Sequence, residues 1–169
     1  VSNSEAYARY DAMQQVFPSR EHDAVVLVSD PALLTPERLS ALRDLQFELS
    51  FVDGVDSVTS LFSLRTVDAA GEQFPPLVPN EIPTRAAFDD LAAEIVAHPL
   101  ARNLAISADG TTVVFTVGID PEQGDNAALA GVIGDIRATA ETVLADAELA
   151  PVLTGQPVMR AEMDAVTMR

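Results

Sequence analysis

Apolar residues change their spacing several times along this chain, and each change marks an element. Ala24 to Ser29 (AVVLVS) is one continuous apolar run, as a strand covered on at least one face would be. Asp30-Pro31 closes it. Thr35 then stands as N-cap, Pro36 at the first helical position and Glu37 in the first turn of a helix whose Leu39, Leu42, Leu45 and Leu49 share one face. The stretch Phe47 to Arg65 carries that helix to its end, turns at Asp53-Gly54 and continues as a strand from Val55 to Leu64. Val55, Ser57, Thr59, Leu61 and Ser63 fall on one strand face, with Val58, Phe62 and Leu64 on or near the other. The alternation fails at Leu61-Phe62, which places a bulge or two-sided burial there. This strand is expected inside the sheet, so a charge at Val55 or Val58 should unfold the domain.

The remaining segments follow the same logic. Ser4 to Val16 has a thin helical stripe (Ala6, Tyr10, Met13, then Phe17) and belongs on the rim. Residues 67–83 hold Pro75, Pro76, Pro79 and Pro83 and read as a surface loop or linker. Thr84 caps a helix to about Ala97, with Phe88, Leu91, Ala92 and Ile95 inward, and His98-Pro99 stops it. Arg102 to Ser107 and Thr111 to Ile119 form a hairpin around Ala108-Asp109-Gly110. Asn126 to Ala147 is the longest helix, with Leu129, Val132, Ile133, Ile136, Ala140, Val143 and Leu144 on one stripe. Gly131 and Gly134 inside it are expected to let the helix pack closely on the sheet. Pro151 to Thr154 is a short strand stopped by Gly155. Pro157 to Arg169 is a half-apolar helix carrying Met159, Met163, Val166 and Met168.

Without the helix at 84–97, the centre reads βαββαβ. That order gives an α+β domain of the ferredoxin-like, split-βαβ type, with both long helices on one sheet face. The inserted helix and two terminal helices flank it. Its parts are a first β–α–β half with the N-terminal helix (1–66), the Pro-rich loop (67–83), a second half (84–155) and a C-terminal helix (156–169).

Composition narrows the classes. The chain has 169 residues, enough for one domain, and 48% of them are hydrophobic, so a sizeable core is within reach. Net charge is −16, and all ten basic residues are arginine. Such a surface repels phosphate backbones and anionic lipid faces, so neither nucleic acid nor a membrane surface is an expected partner. There is no cysteine, which removes disulfides and thiolate chemistry. No run of eighteen apolar residues exists to span a bilayer. The N-terminus lacks the basic and apolar regions of a signal peptide. The chain is therefore expected to be cytosolic, or a piece of something larger.

No motif carries chemistry. His22 and His98 lie far apart, each beside a loop, and read as surface or cap histidines. Asp89-Asp90 and Glu122 to Asp125 fit solvated helix termini and lack EF-hand spacing. Ser57, Ser60 and Ser63 sit in no nucleophile elbow, and AGVIG is no phosphate loop. An acylphosphatase-like anion cradle would need an Arg-bearing loop after the first strand; Ser29-Asp30-Pro31 is acidic and Pro-blocked instead. The reading is of a non-enzyme with no catalytic, metal or cofactor-binding residue and no cofactor.

Four segments in order extend this reading. They are SEAYARYDAMQQVFPS with AVVLVSDPALLTPERLSALRDL, then VDGVDSVTSLFSLR, then HPLARNLAISADGTTVVFTVGID, and LTGQPVMRAEM. Across nearly all its length the chain resembles the first extracytoplasmic loop of resistance–nodulation–division (RND) superfamily exporters, in particular the MMPL-like branch. The resemblance implies a porter-type domain of a proton-driven exporter of hydrophobic, amphiphilic or lipid-like molecules. It implies a place on the periplasmic face of the inner membrane, inside an integral membrane protein. The implied partners are the second periplasmic loop and the transmembrane domain of the same protein, with a hydrophobic small molecule or lipid as substrate; homo-oligomerisation is left open. Proton coupling in that family uses ionisable groups inside membrane helices, which this chain lacks. Phe62, Phe74, Leu77 and Val78 are the residues expected to line a hydrophobic path or face a partner domain, against ordinary packing as the alternative. A stand-alone ferredoxin-like sensory or assembly module is the competing function.

Overall fold

The computed structural model describes residues 22–66, 75–120 and 125–167. The helix expected at Ser4 to Val16 lies outside them. Four strands form one sheet: β1 (Asp23–Ser29), β2 (Val55–Thr59), β3 (Thr112–Ile119) and β4 (Pro151–Thr154). Their order is β2-β3-β1-β4, and every neighbouring pair is antiparallel. Strands β1 and β2 therefore run parallel with β3 between them. Likewise β3 and β4 run parallel with β1 between them. Two split βαβ units interlock, which is the α+β topology expected from the order of elements.

The crossover helices are α1 (Pro36–Leu49), after β1, and α4 (Asn126–Leu144), after β3. At the start of α1, the Thr35 hydroxyl accepts from the Arg38 N–H at 3.2 Å, and Pro36 occupies the first turn, where no N–H is missed. At the start of α4, the Asp125 carboxylate accepts from the Ala127 N–H at 2.7 Å. Both helices bury their stripes on the same sheet face. Leu39, Leu42, Leu45 and Leu49 meet Leu129, Val132, Ile133, Ile136, Ala140 and Leu144 over Ala24, Val26 and Val28 of β1 and Val113, Phe115 and Val117 of β3. Val25, Leu27 and Val114 form a separate buried cluster on the opposite face, joined by Val152. Central β1 is thus covered on both sides, which is why its apolar run does not alternate.

The strand after Gly54 departs from expectation. It ends at Thr59, and among the described residues it lies at the sheet edge, paired to β3 alone. Its register shifts between Val55 and Ser57: Val55 pairs with Ile119, Ser57 with Gly118 and Val58 with Val117. The extra residue turns Val55 and Val58 toward the same core, while Asp56 and Ser57 stay exposed. Gly118 lies opposite the bulge, where a Cβ would overlap the Ser57 Oγ and sit 2.7 Å from Asp56 Oδ1, so those two exposed side chains would have to turn aside. The irregularity at Leu61-Phe62 is a 3₁₀ turn, Leu61–Ser63. Its ends cap each other: Ser60 Oγ accepts from the Phe62 N–H and Ser63 Oγ from the Ser60 N–H, both at 3.1 Å.

Two further expectations are corrected. Arg102 to Ser107 is no strand. Residues 99–104 form a short helix, α3 (Pro99–Leu104), after α2 (Arg85–Ala97), because the His98 ring and Pro99 start it as a cap and a first-turn proline would. Only Ile106 keeps the hairpin idea, as an isolated bridge to Val113. Gly131 and Gly134 do not face the sheet. Both are exposed, and among the described residues a Cβ at either would meet nothing within 4 Å. The chain closes with α5 (Gln156–Thr167), whose Val158 is buried.

Candidate functional site

The segment between β2 and β3, residues 60–111, is the main addition to the βαββαβ core. It carries α2 and α3, and apolar anchors hold it down. Leu61, Leu77, Phe88, Leu91, Ile95, Ala101 and Ile106 all join the helix-side core. Polar contacts fix the seams. Gln46 of α1 donates through Nε2 to the Val58 carbonyl at 3.0 Å, and its Oε1 accepts from the Ser60 hydroxyl at 2.6 Å. Arg43 Nη1 donates to the carbonyls of Pro79 at 3.2 Å and Asn80 at 2.5 Å.

His98 is the tie inside the segment. Only 7% exposed, its Nδ1 accepts from the N–H groups of Leu100 (3.2 Å) and Ala101 (3.3 Å). Nε2 lies 2.9 Å from the Arg65 carbonyl. An acceptor at Nδ1 requires the proton on Nε2, which then donates to Arg65, so the neutral ring satisfies all three contacts. The ring works as a helix cap and a clamp, as the cap reading of this histidine anticipates.

The residues singled out for a hydrophobic path are placed as follows. Leu77 and Val78 are 1% and 5% exposed and belong to the core beneath the segment. Leu77 also donates its N–H to the Leu64 carbonyl at 2.9 Å, beside a bridge between Arg65 and Pro76. Phe62 is half-buried, its ring stacked over Phe115 of β3 with centroids 6.5 Å apart. Phe74 lies outside the described residues. The structure thus brings Phe62 and Leu77 to the same core edge and gives Leu77 and Val78 no open surface.

Among the described residues, the grooves on the helix layer include two. One, of about 440 Å³, runs between the start of α1 and the loop at 80–82 and is lined by Pro36, Glu37, Ser40, Arg43, Asn80, Glu81 and Ile82. The other, of about 300 Å³, lies between the end of α1 and the middle of α4; Glu48, Phe51, Val52, Asp53, Asp135, Ala138 and Thr139 line it. The spacing of acids in sequence could not reveal the second groove, because Glu48 and Asp135 meet only when α1 and α4 pack side by side.

Electrostatics mark one further point. Asp30 is held below the ordinary carboxylate range, first by the Ala32 N–H on its Oδ1 (2.8 Å) and then by Arg38 (2.6 Å). Arg38 also donates to the carbonyls of Ala32 and Ala147, so it clips the β1–α1 loop to the end of α4. The first-turn arginine of α1 thus closes the β1–α1 loop through Asp30 and Ala32. Among the described residues, no three metal-ligating side chains converge, and no helix is long and apolar enough to cross a membrane.

No curated protein matches the chain. The model of a family described as the MMPL family matches residues 2–169. With that match running almost end to end over a chain folded as two interlocked split βαβ units, the protein belongs to the MMPL family.

Proposed function

We propose that this chain is an extracytoplasmic, porter-type domain of a proton-driven exporter, non-catalytic in itself, which handles substrate passage and contacts other parts of the same transporter. Family membership ties the chain to inner-membrane transporters and to the export of lipid-like molecules. The match over residues 2–169 is the observation that carries the reading. The fold supports it. A rigid βαββαβ unit with a firmly anchored segment suits a part that moves as a body against its neighbours, since packed cores shift between discrete arrangements and do not stretch. Placement on the periplasmic face of the membrane, and hydrophobic or amphiphilic substrates, follow within the same proposal. The energy-coupling groups would lie in membrane helices elsewhere in the transporter.

This chain carries no cysteine of its own, so a thiol introduced into it is the only one it presents. Asp146, exposed just after α4, is replaced by cysteine in the whole transporter. A membrane-impermeant maleimide is then applied to cells whose inner membrane is intact. Labelling above the parent protein's background is expected. Protection until the inner membrane is lysed would refute an extracytoplasmic placement.

A further inference from the structure

Among the described residues, the exposed large apolar side chains include two aromatic rings one turn apart at the end of α1. Phe47 and Phe51 are 61% and 68% exposed, with ring centroids 4.9 Å apart and planes at 64°. The pair covers itself edge to face and is otherwise turned to solvent. Phe51 is also one wall of the groove of about 300 Å³ between α1 and α4. The other described lining residues include three carboxylates, Glu48, Asp53 and Asp135, and no basic side chain. Across the groove, α4 presents Gly131, Gly134, Asp135 and Ala138, all exposed and at helical spacing on one face. Among the described residues, nothing within 4 Å beyond the helix's own backbone would oppose a Cβ on either glycine.

We infer that this face docks a basic amphipathic helix of a protein partner. The apolar side of such a helix covers Phe47 and Phe51. Its arginines or lysines reach Glu48, Asp53 and Asp135, and a guanidinium over the Phe51 ring gains a cation–π contact as well. The glycines of α4 let its backbone come to the near end of the usual interhelical range, about 8–10 Å. Charge complementarity selects this occupant. A second copy would set carboxylates against carboxylates on a molecule of net charge −16. An anionic bilayer is repelled for the same reason. The surface stands apart from the transport reading, because charge and shape alone define it.

A fluorescent Leu/Arg amphipathic helix of about 18 residues, five turns, is the probe. Its Leu/Glu counterpart and vesicles with anionic lipid are the comparisons. The arginine helix is expected to bind the 169-residue chain. Asp135→Arg and Phe51→Ser should each weaken it about tenfold, while Asp90→Arg, the same charge change on α2, costs no more than about twofold. Circular dichroism melting confirms that the exposed substitutions leave the fold intact. Equal weakening by Asp90→Arg and Asp135→Arg would mean diffuse attraction and overturn the proposal. So would equal binding of the Leu/Glu helix or of vesicles, or a dimer in sedimentation that Phe51→Ser dissolves.

Discussion

Asp30 and His98 show how single side chains hold this fold together where no apolar contact can. The Asp30 carboxyl is depressed because its ionised form accepts the Ala32 N–H and faces Arg38. Its folded value lies below the unfolded one near about 3.9. The stabilisation is therefore complete above the unfolded value and disappears as pH falls through the folded one. Asp30→Asn keeps an acceptor for Ala32 but loses the charge. The stability gap between wild type and Asp30→Asn, read by urea unfolding, should be constant from neutral pH to about pH 5 and close below about pH 4. His98 links three backbone groups, the Leu100 and Ala101 N–H groups at the start of α3 and the Arg65 carbonyl. His98→Ala should cost about 1–3 kcal/mol, the range for buried groups left without partners. His98→Asn should recover part of this through an N-cap oxygen, without the reach of Nε2 to the Arg65 carbonyl. Equal melting temperatures for the two variants would contradict the cap.

Among the elements, α4 is built below its own optimum. Its buried stripe is complete, yet its outer face carries Gly131 and Gly134, each costing about 0.5–1 kcal/mol relative to alanine in a helix interior. Gly131→Ala with Gly134→Ala should raise stability by about 1–2 kcal/mol, read as a higher denaturation midpoint with unchanged slope. A decrease would show that the glycines serve a contact inside the chain. Strand β2 makes the complementary point. It is short, bulged and edged by Asp56, features that discourage pairing with a second sheet.

At the scale of the molecule, stability concentrates in β1 and β3. Both are central and buried along nearly their whole length, whereas β2 and β4 form the edges. A charge at Val26, fully buried beneath the helices, should abolish cooperative folding. Val58→Asp places its charge on a half-buried edge position and should cost about 1–3 kcal/mol while leaving the chain folded. The two variants are separated by near-ultraviolet circular dichroism and thermal melting. If Val58→Asp also unfolds the chain, β2 belongs to the central unit after all, and the edge strand has been misjudged.

The order of elements was legible because it depends on short-range spacing. Thr35-Pro36 starts a helix by local hydrogen bonding, leucines at helical period give α1 its face, and the short AVVLVS run closed by Asp30-Pro31 fits a covered strand. From that order the α+β, split-βαβ sheet followed, and four turn-and-strand segments carried the family. What depended on distant partners was not legible. Whether β2 is central or edge is decided by which strands pair, and its bulge shows only in its register against Ile119 and Gly118, more than fifty residues away. Helix α3 replaced an expected strand because His98 and Pro99, which end α2, also start the next helix, and the clamp from His98 to Arg65 across the fold is a contact no local pattern encodes. Leu77 and Val78 were apolar in a proline-rich stretch, and only tertiary packing could tell a path lining from a core anchor. The same holds for the groove at Phe51, whose two walls lie more than eighty residues apart and meet only because α1 and α4 share one face of the sheet.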